Sequence, residues 1–152
     1  MTTVVQNAPN NSVALTFSTS IDTLATGAYS VPSDVVNNVS GSATTSYLTV
    51  AVRLAFSAAL TAGAGTPYIT LYMLEARDGT NLPNPPGTAA AAPSPSARQV
   101  TMPLVASGAF SIVDFPEMEV GSYDVAFQFL NESGVAFSGT VTATAYFGSP
   151  EV

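Results

Sequence analysis

Apolar and polar residues alternate along much of this chain, which is the spacing of a half-buried β-strand. The clearest case is residues 46–57, where every second residue from Leu48 to Phe56 is apolar and the residues between them are mostly small or polar. Similar but shorter patterns predict strands at 13–18, 68–76, 99–106, 109–115, 122–130 and 135–147, with a weaker extended stretch at 28–39 that Pro32 interrupts.

Turn residues separate these strands, and no segment shows a sustained helical spacing of apolar residues. A Gly/Ala turn is predicted at 61–66, and a short hairpin loop at 131–134 joins the last two strands. Strand 68–76 is apolar on both faces, which predicts a central strand or one that a neighbour covers. The whole pattern predicts an all-β fold, an antiparallel β-sandwich of about eight strands with jelly-roll or, alternatively, immunoglobulin-like topology.

Two segments interrupt the strand pattern. Residues 1–12 predict a polar N-terminal arm ahead of a single domain at 13–152, and residues 77–98 predict a long Pro/Ala-rich loop within that domain. Long loops in compact domains are usually functional or disordered, so this loop is either a docking arm or a mobile surface loop. The residues expected to contact a partner lie in these two segments: Thr2, Thr3, Val4, Val5, Gln6, Leu82, Pro83, Pro85 and Pro86.

Basic residues are scarce in the 152-residue chain. It has three arginines and no lysine against ten acidic residues, and the net charge is −7. Binding to nucleic acid or to an anionic membrane surface needs clustered basic side chains, so neither partner is expected. The chain also lacks an apolar run of about 18 residues, which would be needed for a transmembrane helix.

Charged residues make up 9% of the chain, where about 25% is usual. A surface of serine, threonine, alanine and glycine costs little to desolvate and order, which favours permanent contact with other protein. The alternative is a secreted or marine-type protein with a mildly acidic surface. Arg53 lies on the polar face of the longest predicted strand, and we expect it to form an ion pair with an acidic residue within or between subunits.

The inventory of reactive side chains excludes most enzyme classes. Histidine, cysteine and lysine are all absent, which removes the usual general base, the thiol nucleophile, the Schiff-base amine and most transition-metal ligands. Acidic residues at 114–124 and 75–81 have a spacing compatible with carboxylate chemistry or calcium binding, but solvated acids in a loop and an ordinary Asp-Gly turn are the favoured explanations. We expect no enzymatic activity, no cofactor and no small-molecule substrate.

The polar arm, the Cys-free composition rich in Ser, Thr, Ala and Gly, and the β-pattern from Val13 to Phe147 together resemble the small β-sandwich head decoration (cement) proteins of tailed bacteriophages. The stretch at 121–130 also resembles strands of virion sandwich modules. The resemblance implies a subunit on the capsid surface of a virion, often a homotrimer. Its partners would be the major capsid protein and copies of itself, and the arm would carry much of the contact.

Two other functions are compatible with the same pattern. One is a fibre-tip, host-recognition or carbohydrate-binding module, for which exposed tyrosines would form the sugar platform. The other is a coat protein whose jelly roll forms the shell itself. Glycan binding by a monomer would favour the first, and self-assembly into large particles would favour the second.

Overall fold

The structure, a computed structural model, describes residues 12–36, 47–77, 81–82, 90–95, 97–120 and 123–150. These residues contain eight β-strands and no helix. In chain order the strands are β1 (Ser12–Ala14), β2 (Ala28–Tyr29), β3 (Tyr47–Thr61), β4 (Tyr68–Ala76), β5 (Arg98–Pro103), β6 (Ala109–Glu119), β7 (Asp124–Glu132) and β8 (Val141–Pro150). The prediction of an all-β chain with about eight strands is confirmed.

The strands form two antiparallel sheets of four. The first sheet has the order β1-β8-β3-β6, and the second has the order β2-β7-β4-β5. Strands equally far from the two ends pair with each other: β1 with β8, β2 with β7, β3 with β6 and β4 with β5. The pairs β3–β8 and β4–β7 join these hairpin-like ladders into sheets.

This nested pairing of first strand with last is the topology of a jelly roll, in which one long antiparallel hairpin is wound into two facing sheets. An immunoglobulin-like sandwich would instead place consecutive strands A and B in one sheet with E and D. Here β1 and β2 lie in different sheets. The observed strand order therefore decides between the two topologies that the sequence pattern left open.

The core lies between the two sheets and follows the alternation in the sequence. In β3, Val50, Val52 and Leu54 are at most 1% exposed, and they face apolar residues of β4 and β7 in one continuous cluster. The alternation fails at the start of β3. There Tyr47 is buried, with its ring 5.9 Å from that of Phe147, whereas Leu48 is 46% exposed. The prediction that Leu48 belongs to the buried face is wrong.

The prediction of a strand beginning at residue 135 is also wrong. Strand β7 continues to Glu132, residues 133–140 form the connection, and β8 begins at Val141. The apolar alternation that suggested a strand has another cause, because Phe137 is a buried loop anchor whose ring packs edge-on against Phe56 at 5.1 Å. The prediction of a hairpin loop at 131–134 is wrong as well, because residues 133–140 connect β7 in one sheet to β8 in the other.

The other strand limits differ less from the predictions. Strand β4 matches its predicted limits of 68–76, and the long interruption runs over 77–97. Strand β3 extends four residues past its predicted end, β6 extends to Glu119, and β5 and β1 are shorter than predicted. In the weak stretch at 28–39, β2 covers two residues and is followed by isolated bridges at Ser33 and Val36. The hydroxyl oxygens of Ser30 and Ser33 accept hydrogen bonds from β7 amides there, in place of a regular ladder.

Candidate interaction surface

The outward face of the second sheet is largely buried along its central strands β7 and β4, whereas the outward residues of β5 are exposed. Leu74 and Ala126 point away from the core yet are fully buried, and Thr70 is 3% exposed. A sheet face that pointed to solvent would expose such residues, so another part of the chain must lie over it. The prediction that strand 68–76 is a central strand or one covered by a neighbour is confirmed, because β4 lies between β7 and β5. We call the outward surface of β7 and β4 the covered face.

The described parts of the Pro/Ala-rich segment lie over the covered face. Leu82 packs against a small cluster formed by Val35, Ala76 and Ala126. Further along, the side-chain amide of Gln128 donates hydrogen bonds of 2.8 Å to the carbonyl oxygen of Ala91 and 2.7 Å to that of Ser30. We call Leu82 together with residues 90–95 the strap. Its described residues are therefore packed against their own domain.

Gln128 is the polar centre of this contact. The residue is fully buried, and both hydrogens of its amide group are used. Its Oε1 oxygen has no hydrogen-bond partner among the described residues. A buried amide that bonds backbone on two different segments ties those segments together, and its loss would leave two carbonyl oxygens without a donor.

Two tyrosines lie beside the strap. The rings of Tyr29 and Tyr72 are 6.0 Å apart and tilted by 46°. Burial, followed by the neighbouring Tyr29 hydroxyl, raises the pKa of Tyr72 to about 12. A shallow cleft of about 220 Å³ opens next to this pair, and hydroxyl side chains such as Thr19 and Thr23 line it together with Tyr29, Leu24 and other apolar residues.

The outward face of the first sheet is different, because alternate residues of its strands are partly or fully exposed. Most of these side chains are small and uncharged. Ile112 and Tyr146 are exceptions, being 47% and 38% exposed. We call this surface the open face; by strand register it comprises Ser12, Ala14, Thr49, Ala51, Arg53, Ala55, Ile112, Asp114, Glu119, Thr142, Thr144 and Tyr146, and Glu117 joins it through its hydrogen bond with Thr49.

An ion pair occupies the middle of the open face. Arg53 donates from Nε to Oδ1 of Asp114 at 2.6 Å and from Nη2 to Oδ2 at 2.9 Å, a bidentate arrangement between adjacent strands. The Tyr146 ring lies on the other side of the guanidinium, 5.9 Å from its central carbon. The hydrogen bonds from Arg53 lower the pKa of the Asp114 carboxyl below its ordinary value. The pair is half-exposed, so it contributes little to stability but holds both side chains in a fixed geometry.

Acidic side chains lie at one end of the open face, where β6 contains a bulge opposite β3. Glu117 accepts a 2.7 Å hydrogen bond from the Thr49 hydroxyl. The side chain of Glu119 is 88% exposed, and its nearest cation is Arg98 at 4.0 Å. The same arginine is 3.4 Å from Glu75 and donates to the backbone carbonyl of Glu119 at 2.7 Å.

The partner residues expected from the sequence are only partly located. Thr2, Thr3, Val4, Val5 and Gln6 lie outside the described residues, as do Pro83, Pro85 and Pro86. Leu82 is half-buried on its own domain, and its role toward a partner stays a prediction. Arg53 forms its ion pair within the chain.

Sequence reasoning did not identify the open face itself. Ile112 in β6 and Tyr146 in β8 are more than thirty residues apart along the chain, and only the pairing of β3 with both strands brings them to one surface. The one local signal in the sequence is the row of small residues on one side of 46–57, which by itself indicates only a polar strand face around Arg53.

The described residues contain no group of three or more acidic side chains arranged to hold a metal ion. They also include no helix that could span a membrane. No family model, no curated protein and no solved structure matches the chain.

Proposed function

We propose that this protein is a virion structural protein that decorates and stabilises a bacteriophage capsid by binding across capsid subunits. The observation that carries the proposal is the difference between the two outward faces. The strap already covers one sheet, whereas the other sheet presents a mostly small and uncharged surface with Ile112 and Tyr146 exposed. Aromatic residues are enriched and lysine is depleted in protein interfaces, and small side chains lose little conformational entropy when a contact orders them.

The size of the open face favours binding at many sites at once. The four strands of the sheet have 3, 10, 15 and 11 residues. At about 3.4 Å per residue and about 4.8 Å per strand they give roughly 600 Å² of surface, while a standard interface buries about 800 Å² on each partner. One open face alone would thus bind weakly. Several copies engaged together, with the arm at residues 1–12 adding contacts, would bind far more tightly through avidity.

Decoration also agrees with the role that a rigid sandwich can play. A subunit that binds only the mature shell stabilises that form by mass action, without any chemistry of its own. The jelly roll supplies a stiff platform, and the ion pair of Arg53 and Asp114 holds the middle of its open face in one geometry. A homotrimer at a capsomer junction is the arrangement that we expect.

Two observations favour the alternatives. The jelly-roll strand order is also that of shell-forming coat proteins. The cleft beside Tyr29, with hydroxyl and apolar lining, has the size and chemistry for a single sugar ring. A coat protein would assemble into megadalton particles by itself, and a recognition module would bind glycan as a monomer.

The test is co-sedimentation with expanded, empty shells assembled from the major capsid protein encoded in the same genome. We expect saturable binding and a higher melting temperature of the loaded shells. Light scattering of the free protein should give a trimer, three copies of the 15.5-kDa chain or about 46 kDa. Shells that bind no protein at 10-fold excess would refute the proposal, and spontaneous megadalton particles would replace it with the coat-protein function.

A further inference from the structure

We infer that the open face binds a protein other than a second copy of this chain, one that presents lysine or arginine toward Glu117 and Glu119. This inference rests on the proposed function and identifies the chemistry of the partner at that site. It follows from how the few cations of the chain are used and from where the acids lie on the open face.

All three arginines are engaged within their own chain. Arg53 is held by Asp114 in a bidentate pair. Arg77 lies 3.5 Å from Glu75 and over the Tyr123 ring, 5.5 Å from its centroid. Arg98 contacts Glu75 as well as the backbone of Glu119, as described above. Since the chain has no lysine or histidine, a second copy has no unengaged basic side chain to offer to the acidic end of the open face.

The charge of the open face itself is negative. Arg53 and Asp114 cancel, and Arg98 is shared between Glu75 and Glu119, which leaves Glu117 and part of the charge of Glu119 uncompensated among the described residues. Two such faces brought together would repel each other, and each whole chain carries −7. A partner with a cation opposite Glu117 and Glu119 would instead gain attraction and a faster encounter. Charge complementarity therefore favours a heterologous partner on this face and leaves self-association to other surfaces.

The apolar part of the open face sets the second requirement for the partner. Ile112 lies beside Ala55, and Tyr146 lies beside Ala51, so each large side chain stands next to a small one. This alternation of large and small side chains fits a partner surface that is itself largely apolar near its centre. The basic side chain of the partner would then lie at the rim of the contact. A charge at the rim affects the association rate and its salt dependence more than it affects packing.

The experiment measures binding of the protein to the same expanded shells at 50 mM and 300 mM NaCl, with the wild type and two variants. The double variant Glu117→Gln/Glu119→Gln removes the two charges while keeping the oxygen that accepts from Thr49. Glu132→Gln is the matched control, since it removes one acid from the second sheet. For the wild type we expect binding to weaken about 5- to 10-fold at the higher salt. The double variant should bind about as weakly at low salt as the wild type does at high salt, and the control should behave like the wild type.

The outcomes separate this inference from the proposed function. Binding that is equally tight at both salt concentrations and in the double variant overturns the inference and leaves capsid decoration standing. Shells that bind nothing at either salt concentration overturn both. Ile112→Arg gives an independent check by light scattering: it should leave the mass of the free protein unchanged, and a fall in that mass would show that the open face is a contact between copies.

Discussion

The two sheets of this sandwich each have four strands, yet one outward face is largely covered by the strap and the other is exposed to solvent. On the second sheet, residues such as Ala126 and Gln128 point outward and are fully buried beneath the strap. On the first sheet, Ala55 and Arg53 occupy equivalent outward positions and remain in contact with solvent. An outward position in a strand is thus not by itself an exposed one. The difference separates residues that serve stability from residues that are available for binding.

The largest expected effect comes from placing the same charge on each face. Ala126→Glu would bury a carboxylate beneath the strap without a cation to pair it, so we expect a loss of more than about 3 kcal/mol in the free energy of unfolding. Ala55→Glu on the open face should cost less than about 1 kcal/mol. Urea unfolding of both variants checks this, and equal losses would mean that the two faces do not differ as described.

Gln128→Leu sharpens the comparison at the contact with the strap. The variant keeps the size of the side chain but leaves the carbonyl oxygens of Ser30 and Ala91 without their donor. We expect the free energy of unfolding to fall by about 1–3 kcal/mol, with faster proteolytic cleavage between residues 82 and 97. Thr144→Val on the open face is the control. Unchanged cleavage in Gln128→Leu would show that the strap is held by other contacts.

The alkaline limit of stability should report the tyrosine pair beside the strap. The folded protein holds the pKa of Tyr72 at about 12, above its ordinary value of 10.0. Between these values the unfolded chain loses a proton that the folded protein keeps, so stability falls as pH rises. We expect a fall of about 1–2 kcal/mol after allowance for partial solvent screening. In urea unfolding at pH 9 to 11, Tyr72→Phe should reduce this slope, whereas Tyr146→Phe should not.

The smallest effect is expected at the ion pair of the open face. Arg53 lowers the pKa of Asp114 below its ordinary value of 3.8, so its contribution is present at neutral pH and is lost as the carboxyl protonates in acid. Because Asp114 is more than half exposed, Asp114→Asn should lower the melting temperature at pH 7 by no more than about 2 °C. The difference from the wild type should shrink as the pH falls below 3.8, and a difference that does not shrink would indicate a packing role instead.

The sequence predicted local structure well and long-range structure poorly. Strand β4 was located correctly because its run of apolar residues lies between two turns. The prediction of a strand at 135–147 failed at Val135 and Phe137, since a loop can anchor apolar side chains in a core with the same spacing as a strand. The jelly-roll order could not be chosen from the sequence, because β1 pairs with β8 at a separation of more than 120 residues without a local signal.

The interaction surface could not be predicted from the sequence for the same physical reason. The partner residues predicted from the sequence lie in the segments that break the strand pattern. The described part of one of these segments packs against its own domain. The surface available for binding was instead a regular sheet face. Its exposure depends on which sheet the strap covers, and that is a property of tertiary packing.

The most direct test of the account is a cryo-electron microscopy reconstruction of the protein bound to expanded shells of the major capsid protein encoded in the same genome. We expect the sheet of β1, β8, β3 and β6 to face the shell, with Ile112 and Tyr146 in the contact and the strap directed to solvent. A bound subunit that turned its strap and the covered face toward the shell would contradict the account.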